Sequence, residues 1–346
     1  MKTALLHYWL TNMRGGEKVL AELCAMLPGA DVFTHAFLPT KLAPPLSELQ
    51  RVRESFIARL PLGRRHPQLY LPLMMSAARR LDLSGYDLIV SSESGPIKGV
   101  VKPSRARHVC YCHTPMRYVW DMYADYYAAA GLAGKVAMRL FTPYLRRMDL
   151  KSAESVDEFI ANSQFVAERI RRIYGREATV VYPPVDTAFF GASPLADAAE
   201  AAEKPYYLFV GAAAGYKRRD LATAACARLG RELKCVGGGS HSDVELRALY
   251  AGARALLFPG VEDFGIVPVE AQAAGCPVIA FGKGGALETV ADGETGLFFR
   301  EPTVDSLCEA MLEFERRDWS RQKCRVNAEK FSAAAFRRAM AAKLRG

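Results

Sequence analysis

No apolar run in the 346-residue chain reaches eighteen residues, so no membrane-spanning helix is predicted. The sequence also lacks low-complexity tracts and short internal repeats, which excludes solenoids and arrays. Its eight cysteines follow no regular spacing. A disulfide framework is therefore not expected, and the thiols read as those of a reduced cytoplasmic protein. The cluster Cys110-Tyr-Cys112-His113 has the look of a metal site, but no second ligand cluster follows, so no zinc is expected. The first residues, "MKTALLHYWLTNMRGG", lack the full pattern of a secretory leader and read as a core strand. No recognised nucleic-acid-binding module occurs, and no nucleic-acid partner is expected.

What the chain does have is charge and alternation. Lysine and arginine number 46 against 37 acidic residues, a net charge of +9. That excess points to an anionic partner: a nucleotide, a nucleic acid or a lipid surface. Half of the residues are hydrophobic, and the length suits two domains. Short apolar strands alternate with helical segments, the signature of parallel α/β architecture. "TALLHYW", "ADVFTHAF", "YDLIVSSE", "RHVCYCH", "EFIANSQ" and "ATVVYPPV" are expected strands of a first lobe, 1–186. A polar, alanine-rich stretch, 187–204, reads as a linker. A second cycle of strands and helices runs over 205–329, and a last helix at 330–346 is expected to pack back on the first lobe. Ligands of open α/β sheets bind beyond the carboxyl ends of strands.

The stretch "EDFGIVPVEAQAAGCPVIA", Glu262–Ala280, places two acids, Glu262 and Glu270, in a Glu-x7-Glu spacing. Pro268 suits the first turn of a helix and Gly275 a left-handed stop. Glu270 then falls in that first turn, with Glu262 on the loop before it. A helix N-terminus offers free N–H groups and partial positive charge, which suit a phosphate. The acids suit sugar hydroxyls on either side of it. Equally, Glu270 complements the helix dipole and Glu262 is a solvated loop charge. Elsewhere, Gly15 and Gly16 lie in a turn between the first strand and its helix, where backbone can approach a ligand. His113 ends the strand "RHVCYCH" and is either a cleft residue or a buried, hydrogen-bonded histidine. The tyrosines and tryptophan of "RYVWDMYADYY" either pack the core, stack on a sugar or flank lipid. Lys217 and Arg218 in "GAAAGYKRRD" either meet a diphosphate or are solvated. From Arg51 to Leu81, arginines interleave with Phe56, Ile57, Leu60, Leu69, Leu73, Met74 and Met75. This segment is read as a basic amphipathic surface for an anionic membrane, the other reading being a surface helix pair whose arginine stems cover the core.

Together these pieces resemble the retaining glycosyltransferases of family 4, which have the GT-B fold: two Rossmann-like lobes with parallel sheets facing a cleft. The most specific stretch is "FPGVEDFGIVPVEAQAAGCPVIAFGKGGALETVADGETGLFF". "YCHTPMRYVWDMYADYY" resembles members that build bacterial surface polysaccharides, several of them mannosyltransferases. The resemblance implies that Glu270 binds ribose hydroxyls and that Glu262 faces the donor sugar near the reacting carbon. It places the backbone of Phe264, Gly265 and Ile266 on sugar and phosphate oxygens, Lys217 on the diphosphate, and His113 beside the sugar. Gly15 and Gly16 meet the phosphates or the acceptor. It implies no cofactor and no metal, in keeping with the lack of an Asp-x-Asp pair. The implied activity is transfer of a sugar, mannose from GDP-mannose first, to a polyprenyl-diphosphate-linked glycan. The implied setting is the cytoplasmic side of the inner membrane, in the making of O-antigen, capsule or exopolysaccharide.

Two departures stand out. Where family members have an arginine after the glycine of the "YYLFVG" strand, this chain has Ala212. Near 237–245 it is trimmed of an expected helix and strand. Both keep open a second reading, a non-catalytic or partner-dependent GT-B-like subunit.

Overall fold

The computed structural model describes residues 1–192, 206–212, 214–237 and 241–345. They fall into two compact units, 1–182 with 339–346, and 183–338.

The first unit holds strands β1 (Thr3–His7), β2 (Asp31–Thr34), β3 (Val52–Glu54), β4 (Leu88–Glu93), β5 (Arg107–Cys112), β6 (Glu158–Ala161) and β7 (Ala178–Val180). They form one parallel sheet in the order β3-β2-β1-β4-β5-β6-β7. Strands covered on both faces carry near-continuous apolar or neutral sequence. Accordingly, every residue of β1 and β4 is buried. The register sets His7 opposite Ser92, and Ser92 opposite Tyr111. The carboxyl ends of β1, β4 and β5 therefore finish level, and that edge carries the site described below.

Its helices are α1 (Gly15–Met26), α2 (Leu71–Arg79), α3 (Tyr123–Ala129), α4 (Leu132–Ala153) and α5 (Gln164–Tyr174). Local chemistry fixes α5: the Ser163 hydroxyl accepts from the Val166 N–H at 3.0 Å, and Gly175 ends it at φ 63°. Leu6, Phe33, Ile89 and Ile97 pack in one core cluster of this unit; Phe159, Val166 and Ile170 pack in another.

The second unit contains α6 (Thr187–Gly191), β8 (Tyr207–Val210), α7 (Arg219–Leu229), β9 (Leu233–Val236), α8 (Asp243–Gly252), β10 (Ala255–Phe258), α9 (Ile266–Ala273) and β11 (Val278–Phe281). α10 (Ala286–Thr289), β12 (Gly296–Phe299), α11 (Val304–Glu315) and α12 (Arg321–Ala328) follow. Its parallel sheet runs β12-β11-β10-β8-β9. Phe209, Leu257, Ile279, Leu307 and Met311 fill its core. The last helix, α13 (Ala333–Leu344), starts in the second unit and ends in the first. There Arg107 donates to the Lys343 carbonyl at 3.0 Å, and the Lys343 ammonium meets Glu158 at 3.1 Å.

Several expectations change. The linker at 187–204 opens with α6, because Phe190 is buried edge-on against Tyr250, ring centroids 5.8 Å apart. From residue 193 to 204 that stretch lies outside the described residues. Within the trimmed region, 238–240 also lie outside them, and α8 starts at Asp243. Of the apolar residues named in the segment Arg51–Leu81, most face the core. Ile57, Met74 and Met75 are buried, and Phe56 and Leu60 pack against that cluster. Arg80 lies over the Phe56 ring at 5.2 Å, a stem-on-core arrangement. Only Leu69 and Leu73 of its seven named apolar residues are exposed.

Candidate active site

In the first unit, β1 ends at His7 and β5 gives way to His113. His113 Nε2 and Ser92 Oγ are hydrogen-bonded at 2.9 Å, and the His113 N–H donates to the Glu93 carbonyl. The Tyr111 ring stands edge-on to the imidazole, centroids 5.3 Å apart. Burial holds the His113 pKa down at about 3, with repulsion from His7 second, so the ring is neutral at physiological pH. α1 starts at Gly15, and a Cβ on Gly16 would sit 3.3 Å from His113 Nε2 and 3.6 Å from the His7 ring. Glycine at 16 lets the turn lie against both histidines. Glu17 caps the same turn: its carboxylate accepts from the Arg14 N–H at 2.9 Å and stands 3.6 Å from His7 Nε2, both side chains fully buried.

Beside this edge is a cavity of about 150 Å³. Tyr8, Trp9, Arg14, Arg117, Tyr118 and Tyr126 contribute to its wall, together with the loop Ser94-Gly95-Pro96. That loop is anchored from beneath. The Lys98 ammonium donates to the Gly95 carbonyl at 2.9 Å and lies between Glu93 at 3.2 Å and Asp149 at 3.0 Å. Trp120 and Tyr174 also donate to Asp149, at 2.8 and 2.9 Å. A wholly buried ammonium thus has two carboxylates and a carbonyl, the satisfaction such a charge requires.

In the second unit, Lys217 follows β8 and Glu262 follows β10, and their side chains form a short ion pair. Gly260 is needed there, because a Cβ would meet the Tyr216 carbonyl at 2.7 Å. A second glycine turn packs on the Glu262 loop. The Gly285 N–H donates to the Glu262 carbonyl at 2.9 Å, and a Cβ on Gly285 would fall 2.3 Å from the Phe264 carbonyl. Gly265 sits at φ 88°, a left-handed turn that starts α9 at Ile266. The helix begins two residues ahead of Pro268, so Glu270 lies in its second turn, not its first. There the buried Glu270 carboxylate accepts from Tyr250 Oη at 3.4 Å. Gly275 does stop the segment in the left-handed region, at φ 82°. Arg218, itself left-handed at φ 53°, turns to Asp220 at 3.3 Å and to the Pro302 carbonyl at 3.5 Å. Ala212 is exposed at the end of β8.

The structure therefore gathers Gly15, Gly16 and His113 in one unit, and Lys217, Glu262, Phe264, Gly265, Ile266 and Glu270 in the other. Sequence reading missed His7, Glu17, Ser92, Arg117 and Tyr250. Glu17 alone left a signal, an acid three residues after the residue preceding a helix. The others depend on strand register.

The family model described as "Glycosyltransferase Family 4" matches residues 13–189, just over half of the chain, and "Glycosyl transferases group 1" matches 234–331. The chain belongs to glycosyltransferase family 4. This family 4 chain is 42% identical over 104 residues to the alpha-1,3/1,6-mannosyltransferase ALG2 of Mus musculus, covering 28% of this chain and 25% of the relative. It is 28% identical over 214 residues to the GDP-mannose-dependent alpha-(1-6)-phosphatidylinositol monomannoside mannosyltransferase of Mycobacterium tuberculosis, covering 49% and 56%. The matched stretches thus span a quarter to just over half of these curated relatives. Among solved structures, Anabaena Alr3699/HepE in complex with UDP superposes with a TM-score of 0.69 at 17% identity, covering 99% of both chains. Sucrose-phosphate synthase of Thermosynechococcus elongatus gives 0.70 at 19% identity, covering 100% of this chain and 98% of the other. The fold is the α/β GT-B fold with two Rossmann-like parallel sheets.

Proposed function

We propose that this family 4 chain is a retaining glycosyltransferase that moves a sugar from a nucleoside-diphosphate donor to a lipid-linked glycan. GDP-mannose is the first donor to test, and bacterial surface polysaccharide the proposed product. The reaction is set on the cytoplasmic face of the inner membrane. Among the described residues, no helix is long and apolar enough to cross a membrane. The observation that carries the reading is the Lys217–Glu262 pair, held at the carboxyl ends of β8 and β10 by a turn that tolerates only glycine.

In this reading the bond between the sugar's anomeric carbon and the β-phosphate oxygen breaks. The leaving diphosphate keeps the electron pair. Lys217 and the first N–H groups of α9 meet charge that grows in the transition state, so they lower the barrier rather than merely tighten binding. The acceptor hydroxyl adds on the same face, passing its proton to the departing phosphate. Glu262 faces the sugar, Glu270 the ribose hydroxyls, and the neutral His113 offers the sugar a hydrogen-bonding partner without charge. No metal is required in this scheme.

A second reading, a non-catalytic or partner-dependent subunit, draws on Ala212 and on Arg218, which is engaged by Asp220. Thermal unfolding with a panel of GDP and UDP sugars tests both, since a bound ligand stabilises the fold by mass action. The catalytic reading expects a rise with one donor, followed by donor consumption that Glu262→Ala abolishes. No rise with any GDP or UDP sugar would sink it; a rise without turnover would favour the second reading.

A further inference from the structure

α4 faces the opposite way from an ordinary surface helix, which turns its apolar stripe to the core and its polar side to water. Its inward residues include Thr142, Leu145, Asp149 and Ser152, three of them polar. The inward side is polar because Asp149 serves Lys98, Trp120 and Tyr174. Outward stand Leu132, Val136, Leu140, Phe141 and Tyr144, between 42% and 82% exposed. At about 100° per residue these five sweep the side of the cylinder away from the buried residues. Solitary exposed leucines need no explanation, whereas a continuous stripe does.

The exposed charge of α4 itself has one sign. α4 carries Lys135, Arg139, Arg146, Arg147 and Lys151, and its one acid is the buried Asp149. The stretch 55–81 has five arginines and no acid at all. The two lie side by side: Tyr144 Oη donates to the Pro72 carbonyl at 3.1 Å, and Leu145 packs with Leu71. The exposed Leu69 and Leu73 belong to that adjoining segment.

We infer that the outward face of α4, with Leu69 and Leu73 beside it, docks on an anionic lipid bilayer. The leucines, Phe141 and Tyr144 enter the boundary between headgroups and acyl chains, and the flanking arginines meet the headgroup charge. A second copy of this chain is the poorer occupant, because it would set the same positive charge against itself. This inference extends the membrane part of the proposed function and moves the contact from Arg51–Leu81 to α4. It needs no donor, and its test is separate from the donor test.

The full chain is floated with phosphatidylcholine vesicles and with vesicles that also contain phosphatidylglycerol, at low and high salt. The expected result is binding to the anionic vesicles, weakened by salt, and little binding to the neutral ones. The variant Val136→Glu/Leu140→Glu is expected to bind roughly tenfold or more weakly, with an unchanged melting temperature. Arg139→Gln/Arg147→Gln is expected to lose most of the salt-sensitive part. Wild-type protein that stays unbound, or a glutamate variant that binds as well as wild type, overturns the assignment. So does a wild-type dimer in solution that the glutamate variant dissociates. Failure of the nucleotide-sugar thermal shifts leaves the vesicle result standing.

Discussion

Lys217 and Glu262 hold one another with 15% and 19% of their side chains exposed, so the ammonium is already engaged by a carboxylate. In the proposed reaction, a donor that recruits Lys217 has to compete with Glu262 for it. The resting pair thereby keeps two opposite charges neutralised in a partly dry place.

Lys217→Ala is expected to cut donor consumption by roughly 10²–10³-fold, the scale of one lost oxyanion stabiliser. The same change should alter the free energy of unfolding by only about 1 kcal/mol, since the pair is not fully buried. Initial rates and urea denaturation on one preparation check both. Survival of the rate would remove Lys217 from the diphosphate.

Gly285→Ala tests the glycine turn behind Glu262. Its methyl would lie 2.3 Å from a backbone carbonyl, so the loop itself has to shift. A loss of about 1–3 kcal/mol is expected, with weakened donor binding. Gly215→Ala meets nothing within 4 Å and serves as the control. Equal stability of the two variants in urea would refute the packing argument.

Lys98→Ala should cost far more than Lys217→Ala, although both remove a paired lysine. Lys98 is 1% exposed, and its loss leaves Glu93 and Asp149 uncompensated. A destabilisation of about 3–5 kcal/mol is expected. Adding Glu93→Gln and Asp149→Asn should recover part of it. Denaturation midpoints that match those of Lys217→Ala would contradict this.

Three histidines contribute to the loss of stability in acid. Burial is the leading cause that holds His35 and His113 down at about 3 and His108 at about 4. Their unfolded value is near 6.5, so below it the unfolded chain binds protons that the folded chain refuses. The contribution to stability is complete above about pH 6.5 and is lost as the pH falls towards 4 and 3, on the order of 1.4 kcal/mol per unit for each histidine. Urea midpoints at pH 7, 6 and 5 should decline steadily, and less steeply in His108→Gln. A flat profile over that window would be incompatible with three neutral histidines.

Ala212→Arg supplies the cation that the family resemblance leads one to expect just after this strand. The position is exposed, so the side chain has room. A charge-assisted contact of about 1–3 kcal/mol predicts donor affinity higher by roughly tenfold. Calorimetric titration with the best donor reads it directly. An unchanged Kd would mean that Ala212 does not face the diphosphate.

The sequence made most of the framework legible, and the reasons are local. Buried parallel strands such as β1 and β4 have few residue types open to them, so they stand out. Gly265 and Gly275 were visible because only glycine holds those left-handed positions cheaply. The start of α9 was misplaced because Pro268 suits several positions in a helix's first turn, and Gly265 allowed an earlier one. The Ser92–His113 bond joins residues 21 apart and exists only through the β4–β5 register. α4 escaped sequence reading altogether: the usual sign of a helix is an apolar face turned inward, and this one has it turned outward. The segment Arg51–Leu81 was misjudged for the complementary reason, since interleaved arginines hid how many of its apolar residues face the core.

α4 is in effect written inside-out, and that limits how it can be edited. Swapping its outer leucines for lysines would make a better-behaved protein in a test tube and leave the interior untouched. Swapping its inner polar residues for aliphatic ones, the usual repair for a surface helix, would strand the Lys98 ammonium with one counter-ion fewer. The two faces of this helix answer to different masters, and only the outer one can change without disturbing the fold.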